Sequence, residues 1–171
     1  ATYMRGHLDE TAKLTAEESA AGILHTVLDT SGHGANPLSL MPLLKETDLV
    51  LLDMKMTTEQ DYDEKIGGSL RQVMDFLLLL ERQKIPVWIR QVVVPGITDS
   101  RENLFRLADL LAGKKCVQKV EFLPFRKLCK EKYSQMGIPF PLDRVPEATD
   151  SFCREYASHF YELLSAEQKS R

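Results

Sequence analysis

Leu49-Val50-Leu51-Leu52-Asp53-Met54-Lys55 is the stretch that decides how this chain folds. An apolar run follows Asp48 without a break, and then a carboxylate and an ammonium stand on alternate residues. An uninterrupted run of this kind fits a strand buried on both faces, as in parallel sheets. Side chains alternate along a strand, so Leu51, Asp53 and Lys55 share one face while Leu52 and Met54 take the other. Opposite charges then project together from the carboxyl end of a core strand. In open α/β sheets and α/β barrels, that is the end where ligands bind.

Working outward, residues 23–30 read as a preceding strand that also ends in an aspartate, Asp29, and closes in Ser31-Gly32-His33-Gly34. Asn36-Pro37 is expected to cap a short helix with Leu40, Met41, Leu43 and Leu44 on its apolar side. Downstream, Ser69 is expected to cap a helix over 70–83, with Leu70, Val73, Met74, Leu77, Leu78 and Leu80 at helical spacing and the leucines of 77–80 packed in the core. A third strand is expected over 87–94, with Arg90 in its middle and Pro95-Gly96 at its end. Asp99 with Glu102 resembles a capping box for a helix carrying Leu104, Leu107, Leu110 and Leu111. A fourth strand follows over 119–123, stopped by Pro124. Residues 127–146 read as a long polar loop. The last helix, capped at Thr149 or Asp150, carries Phe152, Cys153, Tyr156, Phe160, Leu163 and Leu164. Strand and helix in alternation specify an α/β fold with a parallel sheet, its strand ends on one rim. Residues 1–22 form a poorly defined segment with a short helix after Thr15, and 23–171 are expected as a single α/β domain.

The chain has 171 residues and a net charge of -3, which gives no electrostatic case for nucleic acid or an anionic membrane as partner. No apolar run approaches the roughly 20 residues of a membrane helix. Arg5, His7, Asp9 and Glu10 do not read as a signal peptide, so the cytoplasm is the expected location. Cys116, Cys129 and Cys153 are too widely spaced for a zinc or iron–sulfur motif and read as reduced thiols. His25 and His33 lack a third ligand at useful spacing. The basic residues Arg126, Lys127, Lys130 and Lys132 read as a solvated loop, with an acidic partner surface as the alternative.

Four ordered blocks, residues 27–32, 48–55, 87–96 and 122–125, resemble the later half of the pyruvate formate-lyase activating enzyme family. That family belongs to the radical S-adenosylmethionine enzymes, which build a parallel-stranded partial (βα) barrel around a [4Fe-4S] cluster. The resemblance implies reductive cleavage of S-adenosylmethionine and removal of a hydrogen atom from a glycine of a partner. The partner would be a glycyl radical enzyme such as pyruvate formate-lyase, and the electron donor a flavodoxin. By position, Asp29, Thr30 and Asp53 match residues around a monovalent cation and the methionyl end of the cofactor. Lys55 and Arg90 match cofactor contacts. A zwitterionic amino-acid group needs a cation for its carboxylate and acceptors for its ammonium, which is what these residue types supply.

Departures from the family pattern are equally specific. No CxxxCxxC run stands in this chain, so the cluster has no ligands here and the chain alone is expected to be inactive. Arg126 stands where the family has a histidine, leaving it a cofactor-contact candidate of altered chemistry, and Leu70 replaces an asparagine. A fragment of an activase is favoured over a protein that has lost the cluster. Two other readings are a barrel lyase with Lys55 as Schiff-base nucleophile and Asp53 as proton shuttle, and a non-catalytic binding module. An unpaired edge at the first strand implies a homodimer or an amino-terminal segment folded across it.

Overall fold

A computed structural model of the chain describes residues 25–34 and 37–169. The elements are β1 (Val27–Thr30), a tight helical turn (Pro37–Leu40) running into α1 (Met41–Lys45), β2 (Leu49–Asp53), α2 (Glu59–Asp61), a wide helical turn (Tyr62–Ile66), α3 (Leu70–Gln83), β3 (Val87–Val93), α4 (Arg101–Leu111), β4 (Val117–Pro124), α5 (Lys130–Gln135) and α6 (Asp150–Lys169). The strands form one sheet in the order β1-β2-β3-β4. β1 runs parallel to β2 with Asp29 opposite Leu51, and β2 runs parallel to β3 with Asp53 opposite Arg90.

Two compact units are distinguished, and β3 and β4 each run from one into the other. The first holds Ala1–Arg90 with Gly113–Val120, and the second Gln91–Ala112 with Glu121–Arg171. In the first unit, Val50, Leu52 and Met54 are fully buried, as are Val73, Leu77 and Leu80 of α3 and Val87 and Ile89 of β3. Ser69 caps α3 by accepting the Gln72 amide at 3.3 Å, as its sequence predicts, while Glu59 accepts the next exposed amide, that of Arg71, at 2.8 Å. Gly32 closes the turn after β1 with φ +67°, and a Cβ there would lie 2.9 Å from Leu52 Cδ1. Only glycine meets both demands.

In the second unit, α6 lays Cys153, Tyr156 and Phe160 into an apolar layer. The ring of Phe122 meets those of Tyr156 and Phe160 edge-on at 5.1 and 5.4 Å. Thr149 accepts the Phe152 amide and so is the cap of α6.

Several expectations differ in detail. β2 is fully buried on one face only; Leu49, Leu51 and Asp53 are half-buried, because the other face of the sheet is partly open. Among the described residues the first strand begins at Val27, and residues 1–24 and Asn36 lie outside them, with the expected early helix and the Asn36 cap. In α3 the core face takes Phe76, while Leu78 is 37% exposed, since a run of four leucines turns past any single face. Ser100, rather than Asp99, caps α4 by accepting the Asn103 amide at 3.1 Å; Asp99 accepts the Gly96 amide at 2.9 Å and braces the turn instead. α5 interrupts the expected loop, and Phe152 stands at the surface, 38% exposed.

Candidate functional site

The charges at the strand ends of the first unit converge on Arg90. β3 alternates a covered face (Val87, Ile89) with a more open one (Trp88, Arg90), so the guanidinium leaves the sheet on its open side. Asp53 is its partner in register on β2, and Asp29 stands on β1, one strand further. Arg90 Nε and Nη2 donate to Asp53 Oδ1 at 2.8 and 2.7 Å, and Nη2 also donates to Asp29 Oδ1 at 2.5 Å. One guanidinium thereby bridges carboxylates from two different strands, its planar fork spending Nε and Nη2 on them. Burial pulls the guanidinium's pKa down, but the hydrogen bonds and charges of Asp53 and Asp29 outweigh it and hold the pKa above its ordinary value.

Lys55 follows the end of β2, with Nζ 3.9 Å from Asp53 Oδ2. Its backbone amide donates to the hydroxyl of Tyr62 at 2.9 Å, so the phenol fixes the chain where the strand ends. Tyr62 is almost fully buried, and burial raises its phenol above the ordinary value although amides of Lys55 and Met56 pull the other way. Sequence reading missed this residue. Thr58-Glu59-Gln60-Asp61 just before it carried the signal: Thr58 accepts the Asp61 amide and starts the helical turns that carry Tyr62 inward.

Asp29, Asp53, Lys55 and Arg90 are therefore one cluster. Thr30 alternates away from Asp29 along β1, and its hydroxyl accepts the Gly32 amide at 3.1 Å. Arg126 belongs to the second unit, where it donates to Asp150 Oδ1 at 3.0 Å and to the carbonyl of Ala148, tying the end of β4 to the start of α6. Among the described residues no group of three His, Cys, Asp or Glu is placed to hold a metal ion. His33 lies beside Gly68, whose Cβ would approach the imidazole to 3.4 Å. No helix of the described residues is long and apolar enough to cross a membrane.

A second polar cluster, in the second unit, escaped sequence reading altogether. Asn103 Nδ2 donates to Gln91 Oε1 at 2.8 Å, the Thr98 carbonyl at 3.0 Å and the Tyr156 hydroxyl at 3.2 Å. Tyr156 in turn donates to the carbonyls of Thr98 and Ser100 at 2.7 and 2.9 Å. Gln91, Thr98 and Asn103 are each at most 2% exposed.

No family model matches the chain. It is 36% identical over 141 residues to the pyruvate formate-lyase-activating enzyme of Clostridium pasteurianum, covering 82% of this chain and 58% of the relative. Identity is 34% over 144 residues to the enzyme of that name from Staphylococcus epidermidis, with 81% and 57% covered. It is 36% over 124 residues to the pyruvate formate-lyase 1-activating enzyme of Escherichia coli K12, with 71% and 50% covered. A crystal structure of a domain of pyruvate-formate lyase-activating enzyme from Bacteroides vulgatus superposes with a TM-score of 0.68 over 91% of this chain and 88% of that one, at 14% identity. At that identity the superposition speaks for the fold alone, an α/β architecture on a parallel-stranded sheet. The chain spans between half and three-fifths of the length of these curated relatives. Over that span it is a homologue of the pyruvate formate-lyase-activating enzymes.

Proposed function

We propose that this chain is the cofactor- and partner-binding part of a glycyl-radical-enzyme activase, and that Asp29, Asp53, Lys55 and Arg90 receive the amino-acid end of S-adenosylmethionine. The observation that carries this reading is the convergence of two carboxylates and two cations from three strands of a homologue of such activases. A zwitterion presents an anion and a cation on neighbouring atoms, and this cluster offers both cationic donors and carboxylate acceptors. Arg90 and Lys55 take the carboxylate, and Asp53 with Asp29 takes the ammonium. Thr30, with Asp29 and Asp53, belongs to the proposed neighbourhood of a monovalent cation, and Arg126 to the cofactor's outer contacts. When bound, S-adenosylmethionine supplies the hydrogen-abstracting chemistry of the family. The partner is a glycyl radical enzyme such as pyruvate formate-lyase.

An iron–sulfur cluster does not fit the thiols of this chain. Cys116 and Cys153 are buried in different units, and burial raises both above the ordinary thiol value, with Cys116 pushed up to about 12. A cluster needs several closely spaced thiolates, so no step is assigned to one held by these residues. The Schiff-base lyase reading needs an amine shut away from water, whereas Lys55 is 44% exposed.

Calorimetric titration with S-adenosylmethionine tests the reading. Binding by the native chain, lost in both Asp53→Ala and Lys55→Ala, is the expected result. A folded native chain that takes up no S-adenosylmethionine would overturn it.

A further inference from the structure

We propose that the groove between α4 and α6 docks a helix of a partner protein, apolar along its centre and basic along its flanks. The groove lies wholly in the second unit and encloses about 640 Å³, with Leu104 of α4 and Phe152, Tyr156 and Leu163 of α6 as its apolar lining. Leu104 and Tyr156 are buried, while Phe152, stacked on Tyr156 with ring centroids 5.9 Å apart, carries the aromatic layer out to the surface. Phe152, Tyr156, His159 and Leu163 line the groove at spacings of four, three and four residues. That alternation is the a/d repeat with which one helix receives the side chains of another. From Phe152 to Leu163 the row rises about 16 Å, three turns of helix. A row of that length suits an amphipathic helix laid along it.

Charge decides what the incoming flanks must carry. Glu155 and Glu162 each stand one residue before a member of the row, so they lie one heptad apart on the same bank. Coiled-coil helices place there the charges that choose their partners. Both glutamates are exposed, and no hydrogen bond or ion pair joins either to another of the described residues. Asp99 adds a carboxylate beside the start of α4. Against these three carboxylates the lining sets the imidazole of His159 and one guanidinium, that of Arg101, which is drawn over the Phe105 ring at 5.6 Å. A basic flank therefore gains at this groove and an acidic one is repelled. A second copy of α6 would bring glutamates to glutamates.

Fluorescence anisotropy of labelled peptides titrated with the full chain tests the proposal. The first peptide has three heptads with leucine at a and d, lysine at e and g, and alanine elsewhere; the second carries glutamate for lysine, and the third serine for leucine. The native chain should bind the first at least about tenfold more tightly than either of the others. Glu155→Lys with Glu162→Lys should reverse the preference between lysine and glutamate peptides. Asp63→Lys with Glu64→Lys changes the net charge equally but lies in the first unit, and it should keep the native preference. Phe152→Ala, at an exposed site, should weaken binding of the first peptide without reversing that preference. No binding of the first peptide, equal binding of the lysine and glutamate forms, or an equal effect of the two charge reversals overturns the proposal. Binding of the serine peptide as tight as that of the first overturns it too, leaving charge alone. So does a dimer of the native chain that Phe152→Ala disperses, which would place a second copy in the groove.

Discussion

Arg90 and Gln91 are neighbours on one strand, yet their surroundings have opposite character. Arg90 leaves the sheet on its open side and gathers charged partners that stand partly in solvent. Gln91 leaves on the covered side and joins a buried cluster of neutral groups, Asn103, Thr98 and Tyr156, held by short hydrogen bonds. The difference is one of exchangeability. Water and ligands can compete for every bond of Arg90, so the cluster adds little stability and is free to rearrange. Nothing competes inside the Asn103 cluster, so each bond there specifies one packing of α6 against the loop and helix it meets.

Asn103→Ala should therefore have the largest effect on stability. It strips a buried donor from Gln91 and Thr98 at once, and a loss of about 3 kcal/mol is expected in denaturant titration. An effect below about 1 kcal/mol would erase the contrast, placing the buried cluster on the same footing as a surface pair. Tyr156→Phe keeps the ring against Phe122 and removes only the hydroxyl, for an expected loss of about 1–2 kcal/mol.

Alkaline pH sharpens the comparison from another side. Burial pushes Tyr156 up from 10.0 to about 12, and burial with the Glu81 carboxylate pushes Cys116 up from 9.0 to about 12. Below their ordinary values both groups are protonated in the folded and unfolded chain alike. Above them the unfolded chain loses its protons first, so stability falls as pH rises from 9.0 towards 12. Stability measured across this window should fall less steeply in Cys116→Ala, and Tyr156→Phe should flatten the part above 10.0. The smallest effect is expected at the open rim: Asp53→Asn should change stability by less than about 1 kcal/mol while weakening ligand binding.

The rim was legible in the sequence because each of its charges interrupts or ends an apolar run. Asp29, Asp53 and Arg90 could only be awkward core residues or site residues, and strand order placed them on one side. The buried cluster was not legible, because Gln91 within Val-Trp-Ile-Arg-Gln-Val-Val-Val has nothing local to show whether it faces water or a partner. Its partners lie 12 and 53 residues from one another along the chain, from Gln91 to Asn103 and from Asn103 to Tyr156. Helix α3 shows the same division. Its ends followed from Ser69 and Pro86, whereas the choice of Phe76 over Leu78 for the core was made by packing against β2 and the Gly32 turn. The same holds for the open face of β2, since a run of leucines reads alike whether one face or two are covered.

Trp88 is the one tryptophan of the chain, and it stands two residues before Arg90 on the open face of β3, with the ammonium of Lys119 4.4 Å from its ring. Its emission reports on the polarity and charge next to the ring, so the molecule carries its own optical probe within one strand repeat of the cluster of Asp29, Asp53 and Arg90. Ligand entry at that cluster becomes a change in emission that a fluorimeter reads on unlabelled protein, in real time.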